Sequence, residues 1–491
     1  MKRAEGVLRQ PANALKTSLA LARHTAGGGA SGGSTMAYFT PIGTIRESIL
    51  ASASVVARFD TGLLADDNKI TFTNPGANTA LDLRLSADAP AILTGQRVMH
   101  PGLVPTQALP LPGGVAILAQ RDLDALTIRA EDDGLTLYDS LTGAAPDRVE
   151  AIAISGAAGT HIYLSPTAGT ELGIFSVAAD GTLAPAGVVG DSAGTHLANV
   201  TAMARMNAGG SDFLATASAL ENGVTLWRAG TGGALAPAAS LDAGPDFPVA
   251  GPQALEVVRA GGESYLIAAS AISSSLTVLK VGADGSLTAT DQVIDDLSTR
   301  FANASVIESF SHEGHSFILA AGSDDGISLF TLLPGGRFVH LATLADSAET
   351  SLANVSAMDV EKVGDTAQLL VTSGAESGLT QFTLDLGALG TVVTDSPAAI
   401  VGSAGDDVLG STAAGTEIDG RASADIILDT SGSDMLTGGG GGDLFVFAPD
   451  GARDTVTDFE PGLDRLDLSA FSGIVNISQI TVTPTATGAA L

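Results

Sequence analysis

Residues 200–237, VTAMARMNAGGSDFLATASALENGVTLWRAGTGGALAP, hold the grammar of most of this chain. An apolar run opens the stretch and Ala208-Gly209-Gly210-Ser211 turns it back into a second run, 213–218. Glu221-Asn222-Gly223 makes the next turn, 224–228 a third run, and the Gly-rich 230–233 leads into a fourth. Gly and Asn in such slots supply the positive φ that tight hairpins need. The unit therefore predicts four short antiparallel strands.

The unit repeats. Gly173-Ile174-Phe175, Gly223-Val224-Thr225-Leu226, Ser275-Leu276-Thr277-Val278, Gly326-Ile327-Ser328-Leu329 and Gly378-Leu379-Thr380 follow one another at 50–52 residues. An apolar stretch precedes each copy, centred on Tyr163, Leu214, Leu266, Ile318 and Leu369, 51–52 apart. Two independent markers share one period. Four strands per roughly 50 residues describe the blade of a β-propeller. Weaker copies lie upstream at Ala80-Leu81-Asp82-Leu83 and Ala125-Leu126-Thr127-Ile128, which brings the expected count to seven. Residues 55–72 are expected to supply a closing strand for the last blade. The phrases Phe175-Ser176-Val177-Ala178-Ala179-Asp180-Gly181-Thr182-Leu183 and Leu279-Lys280-Val281-Gly282-Ala283-Asp284-Gly285-Ser286-Leu287 resemble the blades of seven-bladed lactonase-like propellers. This resemblance covers roughly residues 50–395 and is a hairpin signature, so it implies fold more than activity.

The first strand of each blade is expected beside the central funnel. Before it a polar residue recurs: Arg148, Asn199, Gln253, Asn303 and Asn354, at steps of 50–54. Asn side chains at strand entries serve turns by bonding nearby backbone, and that is the leading expectation here. The alternative is a polar ring that binds a ligand at the funnel mouth. A hydrolytic site there would need a base and a charge stabiliser, for which His196, Arg148, Glu150 and Arg300 are the candidates. No recurrent acidic or histidine cluster stands out near the funnel. His312-Glu313-Gly314-His315 has tempting metal spacing but falls in a hairpin-tip slot, and an exposed turn is expected. The sequence has no phosphate-cradling loop.

From residue 401 the composition changes, with fourteen Asp+Glu against three Lys+Arg. Leu409, Ile418, Ile427, Leu436 and Phe445 stand nine apart. Two positions before them come Asp407, Thr416, Asp425, Asp434 and Asp443, and two before those Gly405, Ala414, Ser423, Gly432 and Gly441. One large apolar residue per nine fills the inside of a thin parallel roll. Small residues between them make turns whose carbonyls, with one Asp each, can face an ion. Calcium takes about six to eight oxygens at about 2.3–2.6 Å, which stacked turns offer. The clearest copies are Gly402-Ser403-Ala404-Gly405-Asp406-Asp407-Val408-Leu409 and Gly438-Gly439-Gly440-Gly441-Gly442-Asp443-Leu444-Phe445. They resemble the calcium-binding nonapeptide of RTX, or hemolysin-type, proteins. Phe445-Val446-Phe447, Asp454-Thr455-Val456-Thr457-Asp458-Phe459 and Gly462-Leu463-Asp464-Arg465-Leu466-Asp467-Leu468-Ser469 resemble the segment that closes such rolls in serralysin-type proteins.

The resemblance implies calcium ions bound through Asp407, Asp425, Asp434 and Asp443, with Gly402, Gly405, Gly432, Gly439 and Gly441 lining the turns. Two repeats make one coil in such rolls. That groups Asp407, Asp425 and Asp443 on one edge, and Thr416 with Asp434 on the other. Thr416 replaces an Asp, while Arg421, Asp429 and Thr430 stand where glycine is usual, so the second edge is expected to bind calcium weakly or not at all.

Composition bounds the rest. The net charge of −31 argues against a nucleic-acid surface and a polybasic membrane anchor. Cys is absent, which excludes disulfides and thiol chemistry. Apolar residues make up 45%, enough for a large core, and aromatics only 4%, so that core is aliphatic. No apolar run reaches the roughly 18 residues of a membrane helix. The first 35 residues carry Lys2, Arg3, Arg9, Lys16 and Arg23 against Glu5, but Lys16 breaks the one apolar candidate for a signal peptide.

The expected organisation is a flexible basic leader (1–35), a propeller (36–395), a calcium roll (396–447) and a capping region (448–491). The end, Gly488-Ala489-Ala490-Leu491, lacks the acidic and apolar ending that RTX resemblance implies, so the tail is expected to be divergent or truncated. Two functions follow from the resemblances. One is a secreted, non-catalytic calcium-binding protein exported by the signal-peptide-independent type I route, with a propeller that binds an extracellular ligand or surface. The other is a secreted lactonase-like enzyme with the roll as export and folding device.

Overall fold

The computed structural model describes Val7–Leu8, Thr40–Ile45, strands between residues 59 and 142, and residues 149–490 apart from 157–158, 167–168, 179–182, 245–248, 377, 397–398, 472–473, 475–476 and 486–488. Two compact units divide the chain: 39–310 with 317–384, and 385–491 with Met1–Tyr38 and Ser311–Ser316.

The first unit contains seven four-stranded antiparallel sheets. Six are simple meanders, each built from four consecutive strands. Blade 1 spans Phe59–Asp60 to Ala89–Val98, and blade 4 spans Val200–Ala208, Ser211–Ser218, Gly223–Ala229 and Leu235–Asp242. The predicted markers fall on second and third strands, and Tyr163, Leu214, Leu266, Ile318 and Leu369 are all buried. The upstream copies at Ala80 and Ala125 lie on third strands of blades 1 and 2, so seven blades is correct. The closing strand is elsewhere than expected. Thr40–Ile45 pairs with Leu379–Asp385, Thr40 opposite Thr383 and Ile45 opposite Leu379, and becomes the fourth strand of blade 7. Residues 59–60 and 69–72 belong to blade 1 instead.

First strands of neighbouring blades meet around the axis: Arg205 Nη1 donates to the Ala153 carbonyl at 3.3 Å, and Ser309 Oγ to Glu256 Oε1 at 2.6 Å. The loops entering them share one design. Asp191, Asp295 and Asp346 each accept at Oδ1 from a Thr hydroxyl four residues on (Thr195, Thr299, Thr350; 2.7–2.9 Å) and from an amide six residues on. Such Asp-capped loops satisfy backbone donors that no strand pairs.

The second unit is a parallel roll. One sheet stacks Leu389–Ser396, Asp406–Ser411, Ile426–Leu428, Leu444–Val446 and Arg465–Asp467; the other stacks Ala399–Val401, Glu417–Asp419, Met435–Thr437 and Thr455–Val456. Register is fixed at one coil per two repeats: Ile427 lies opposite Phe445, and Ile418 opposite Leu436. Leu409, Ile418, Ile427, Leu436 and Phe445 are each 0% exposed, so the nine-step apolar series is the core of the roll. The roll begins before residue 396, because Leu389–Ser396 already pairs in parallel. It continues beyond 447, since Val456 and Leu466 extend the same core after insertions that break the nine-step spacing. Val7–Leu8 forms a two-residue strand beside Thr455–Val456, and the rest of the leader lies outside the described residues.

Candidate metal centre

The turns of the roll lie on two edges, each with a ladder of carboxylates. On the first edge the amide of Asp407 donates to Asp425 Oδ1 (2.8 Å), that of Asp425 to Asp443 Oδ1 (3.0 Å), and that of Asp443 to Asp464 Oδ1 (3.0 Å). On the second edge the amide of Thr416 reaches Asp434 Oδ1, and that of Asp434 reaches Asp454 Oδ1 at 3.0 Å. Each Asp thus spends one oxygen holding the coil before it. The grouping of Asp407, Asp425 and Asp443 against Thr416 and Asp434 is the expected one.

The second oxygen carries the chemistry. Asp425 Oδ2, Asp443 Oδ2 and Asp406 Oδ2 are buried without a hydrogen-bond partner, as is Asp429 Oδ1 on the other edge. Leaving a buried carboxylate oxygen unsatisfied costs far more than a surface position would. Burial is the main cause that pushes Asp425 up to about 8, with its neighbours Asp443, Asp407 and Asp406 adding to it and the Asp407 amide opposing. Burial likewise pushes Asp443 up to about 7 and Asp429 to about 8, the latter helped by Asp454 and Asp434. A hard cation would supply what these oxygens lack. Asp407 differs: Oδ1 accepts from Thr391 and Ser403 hydroxyls (3.0 and 2.8 Å) and Oδ2 from the Ser403 amide (2.6 Å).

The glycines explain themselves sterically. A Cβ on Gly402, Gly420 or Gly438 would collide with the carboxylate five residues on, Asp407, Asp425 or Asp443. One on Gly439 or Gly441 would collide with the carbonyl of Arg421 or Ser423 in the coil below, and one on Gly405 with that of Ala388. Gly432 holds φ +96° and packs on the Gly415 amide. Arg421 and Ser423 adopt φ 79° and 76° without being glycine, a strained choice for side-chain-bearing residues.

Sequence reasoning missed four carboxylates. Asp454 and Asp464 continue the two ladders, but at 20 and 21 residues beyond Asp434 and Asp443 rather than 18. Asp458 accepts from the amides of Gly438 and Gly439 (3.0 and 2.8 Å). Asp429 sits at the slot of Gly402, Gly420 and Gly438. With Asp434 and Asp454 it forms the one group among the described residues where three ligand atoms lie within 4.8 Å of one another. That group is on the second edge, where the pattern predicts the weaker site.

In the propeller, Asn199, Asn303 and Asn354 hold φ 56°, 53° and 50°. The amides of Asn303 and Asn354 donate to Ser274 Oγ and Asp325 Oδ1 of the preceding blade, both at 3.0 Å. Gly251 holds the matching place, its amide on Asn222 Oδ1 at 2.8 Å. Gln253 is therefore two residues out of phase, inside the first strand of its blade. His196 is buried under the outer strand of blade 4, where Nε2 meets Asp242 Oδ1 at 2.6 Å and Nδ1 meets Ser240 Oγ at 2.9 Å and Thr225 Oγ1 at 3.1 Å. Arg300 fills the equivalent slot, its amide on Ser328 Oγ at 2.8 Å and its Nη1 on the Thr299 carbonyl at 3.0 Å. His196 and Arg300 are thus each tied into the entry loop of their own blade. Arg148 lies outside the described residues, and Glu150 is known only as part of the strand Val149–Gly156. A recurrent acid does exist: Glu256, Glu308 and Asp359 occupy the same place on three consecutive first strands, 52 and 51 residues apart. The turn at Glu313-Gly314 is exposed as expected, but His315 beside it is buried, Nε2 3.3 Å from the Gly390 carbonyl.

Fold and site define an all-β protein: a seven-bladed propeller followed in the same chain by a parallel β-roll edged with stacked carboxylates. No protein-family model matches the chain, and no curated protein matches it in sequence. Among solved structures, a streptogramin B lyase is 15% identical over 71% of this chain and 98% of its own, with a TM-score of 0.47. A virginiamycin B lyase from Staphylococcus aureus is 12% identical over 70% and 95%, TM-score 0.44. A protein from Lactobacillus plantarum is 16% identical over 62% and 92%, TM-score 0.45. These likenesses concern architecture, which the sheet topology already defines.

Proposed function

We propose that this chain is a secreted calcium-binding protein of the RTX kind, whose roll folds on the ion after export and whose propeller is a binding or surface-association module. The observation that carries it is the pair Asp425 Oδ2 and Asp443 Oδ2: one coil apart, buried and lacking hydrogen-bond partners. Oxygen donors in glycine-spaced turns fit a hard cation. Inside a cell, calcium is scarce and the carboxylates of the free roll repel one another. Outside, binding stabilises the folded form by mass action. The absence of Cys fits a staple that is ionic rather than covalent. For the propeller, Leu220, Ile272 and Leu297 are 69%, 75% and 98% exposed and lie in turns at one end of the blades. Large apolar side chains left in water at that end would suit a partner surface.

Calorimetry of the full chain in chelator and in millimolar calcium tests the reading. Two transitions are expected with calcium, the roll's removed by chelator and the propeller's unmoved. Identical traces in both conditions would overturn it. Export is tested with the Asp425→Asn, Asp443→Asn double variant, which should be recovered outside cells in reduced amount or in a protease-sensitive form. A protease-resistant product at parental yield would separate the roll from export.

A further inference from the structure

The second edge of the roll departs from its own repeat at Asp429. On the first edge this slot is Gly402, Gly420 or Gly438, empty of side chain so that the Asp five residues on can fold back over it. Here Asp434 Oδ2 accepts from the Thr430 hydroxyl at 2.9 Å and amide at 3.1 Å, much as Asp407 accepts from Ser403. Asp429 anchors one oxygen on the Ala448 amide at 2.9 Å and leaves Oδ1 buried without a partner. Asp429, Asp434 and Asp454 are 8%, 3% and 7% exposed, and their ligand oxygens lie within 4.8 Å of one another. Two oxygens bound to one calcium at about 2.4 Å can be no more than about 4.8 Å apart. All three ionised at that spacing without a cation would repel one another.

We infer that Asp429, Asp434 and Asp454 form a second, separate divalent-cation site, built from side-chain carboxylates rather than from the glycine turns of the repeat. The inference rests on the reading of the roll as an oxygen-donor cation binder, and adds that the departure from glycine at 429 creates a site instead of destroying one. The cation is hard, calcium or one that competes with it for oxygen ligands, since no nitrogen or sulfur donor is in the group.

Isothermal titration of the chelator-stripped full chain with calcium tests this. Asp429→Gly restores the residue the repeat carries elsewhere, and Asp429→Asn keeps the side-chain size, so at least one variant is expected to fold with the parental circular dichroism spectrum. Either folded variant should lose one equivalent of bound calcium, or bind it at least tenfold more weakly. The Asp425→Asn, Asp443→Asn variant should keep that equivalent and lose those of the first edge. A folded Asp429 variant with the parental stoichiometry and affinities would overturn the second site and leave the reading of the roll intact. A parent that binds no calcium would overturn both.

Discussion

Gly223 shows how one residue type encodes a neighbour. A Cβ there would sit inside the His196 ring, and one on Gly326 would strike the Leu344 carbonyl first and then the Arg300 stem. The small residue that marks third strands is therefore small in blade 4 because a loop side chain lies over it, and in blade 6 because the fourth strand's backbone crowds it as well. Gly223→Ala is expected to lower stability by about 1–3 kcal/mol through overpacking, and His196→Ala in the same chain should recover part of that loss, as a double-mutant cycle in urea would read. Glu256 carries a different cost. Burial pushes its carboxyl from 4.5 up to about 7, against the lowering effect of the Ser309 hydroxyl. An acid raised in the folded state favours folding below its unfolded value and loses that contribution as pH rises through its folded value. Glu256→Gln should then gain on the parent between pH 5 and pH 8, by roughly 1–3 kcal/mol. A stability difference independent of pH would show that Glu256 is solvated. The carboxylates of the roll were legible only where the nine-step phase runs unbroken. Asp454 and Asp464 fell out of it because insertions of two and three residues precede them, and only stacked coordinates show which carboxylate lies over which.

At the scale of the element, the period of 50–52 residues disclosed strands and their order, because hairpins are local and turn chemistry writes them into adjacent residues. The closure of the ring is non-local. Thr40–Ile45 and Leu379–Asp385 are separated by more than 330 residues, and nothing short-range ties them. Removing residues 1–46 should leave blade 7 with an exposed edge strand, and the propeller of the shortened chain should melt several degrees lower or aggregate, whereas the propeller transition of a chain starting at residue 36 should match the parent's. Equal melting of the two would place the closing strand elsewhere. The Asn recurrence was half read: Asn199, Asn303 and Asn354 end a longer loop phrase that begins at Asp191, Asp295 and Asp346. Its members bond through space across four to six residues, so the phrase has no hydrophobic period to betray it.

Across the whole molecule, the negative charge is concentrated where the apolar repeat is shortest, and its burial in the roll carries a cost that a counter-charge would offset. By itself, the sequence determined an all-β chain, the seven-fold repeat of its larger part, and a thin parallel roll with one large apolar residue per nine. Each of these follows from a local rule, the residues a turn requires or the side chain a narrow core admits. Tertiary structure alone decided what closes the ring, that Glu256, Glu308 and Asp359 share one level of neighbouring first strands, and that Asp429 joins Asp434 and Asp454. Those are juxtapositions across blades and coils, and their distances depend on how a whole turn of chain is stacked on the next.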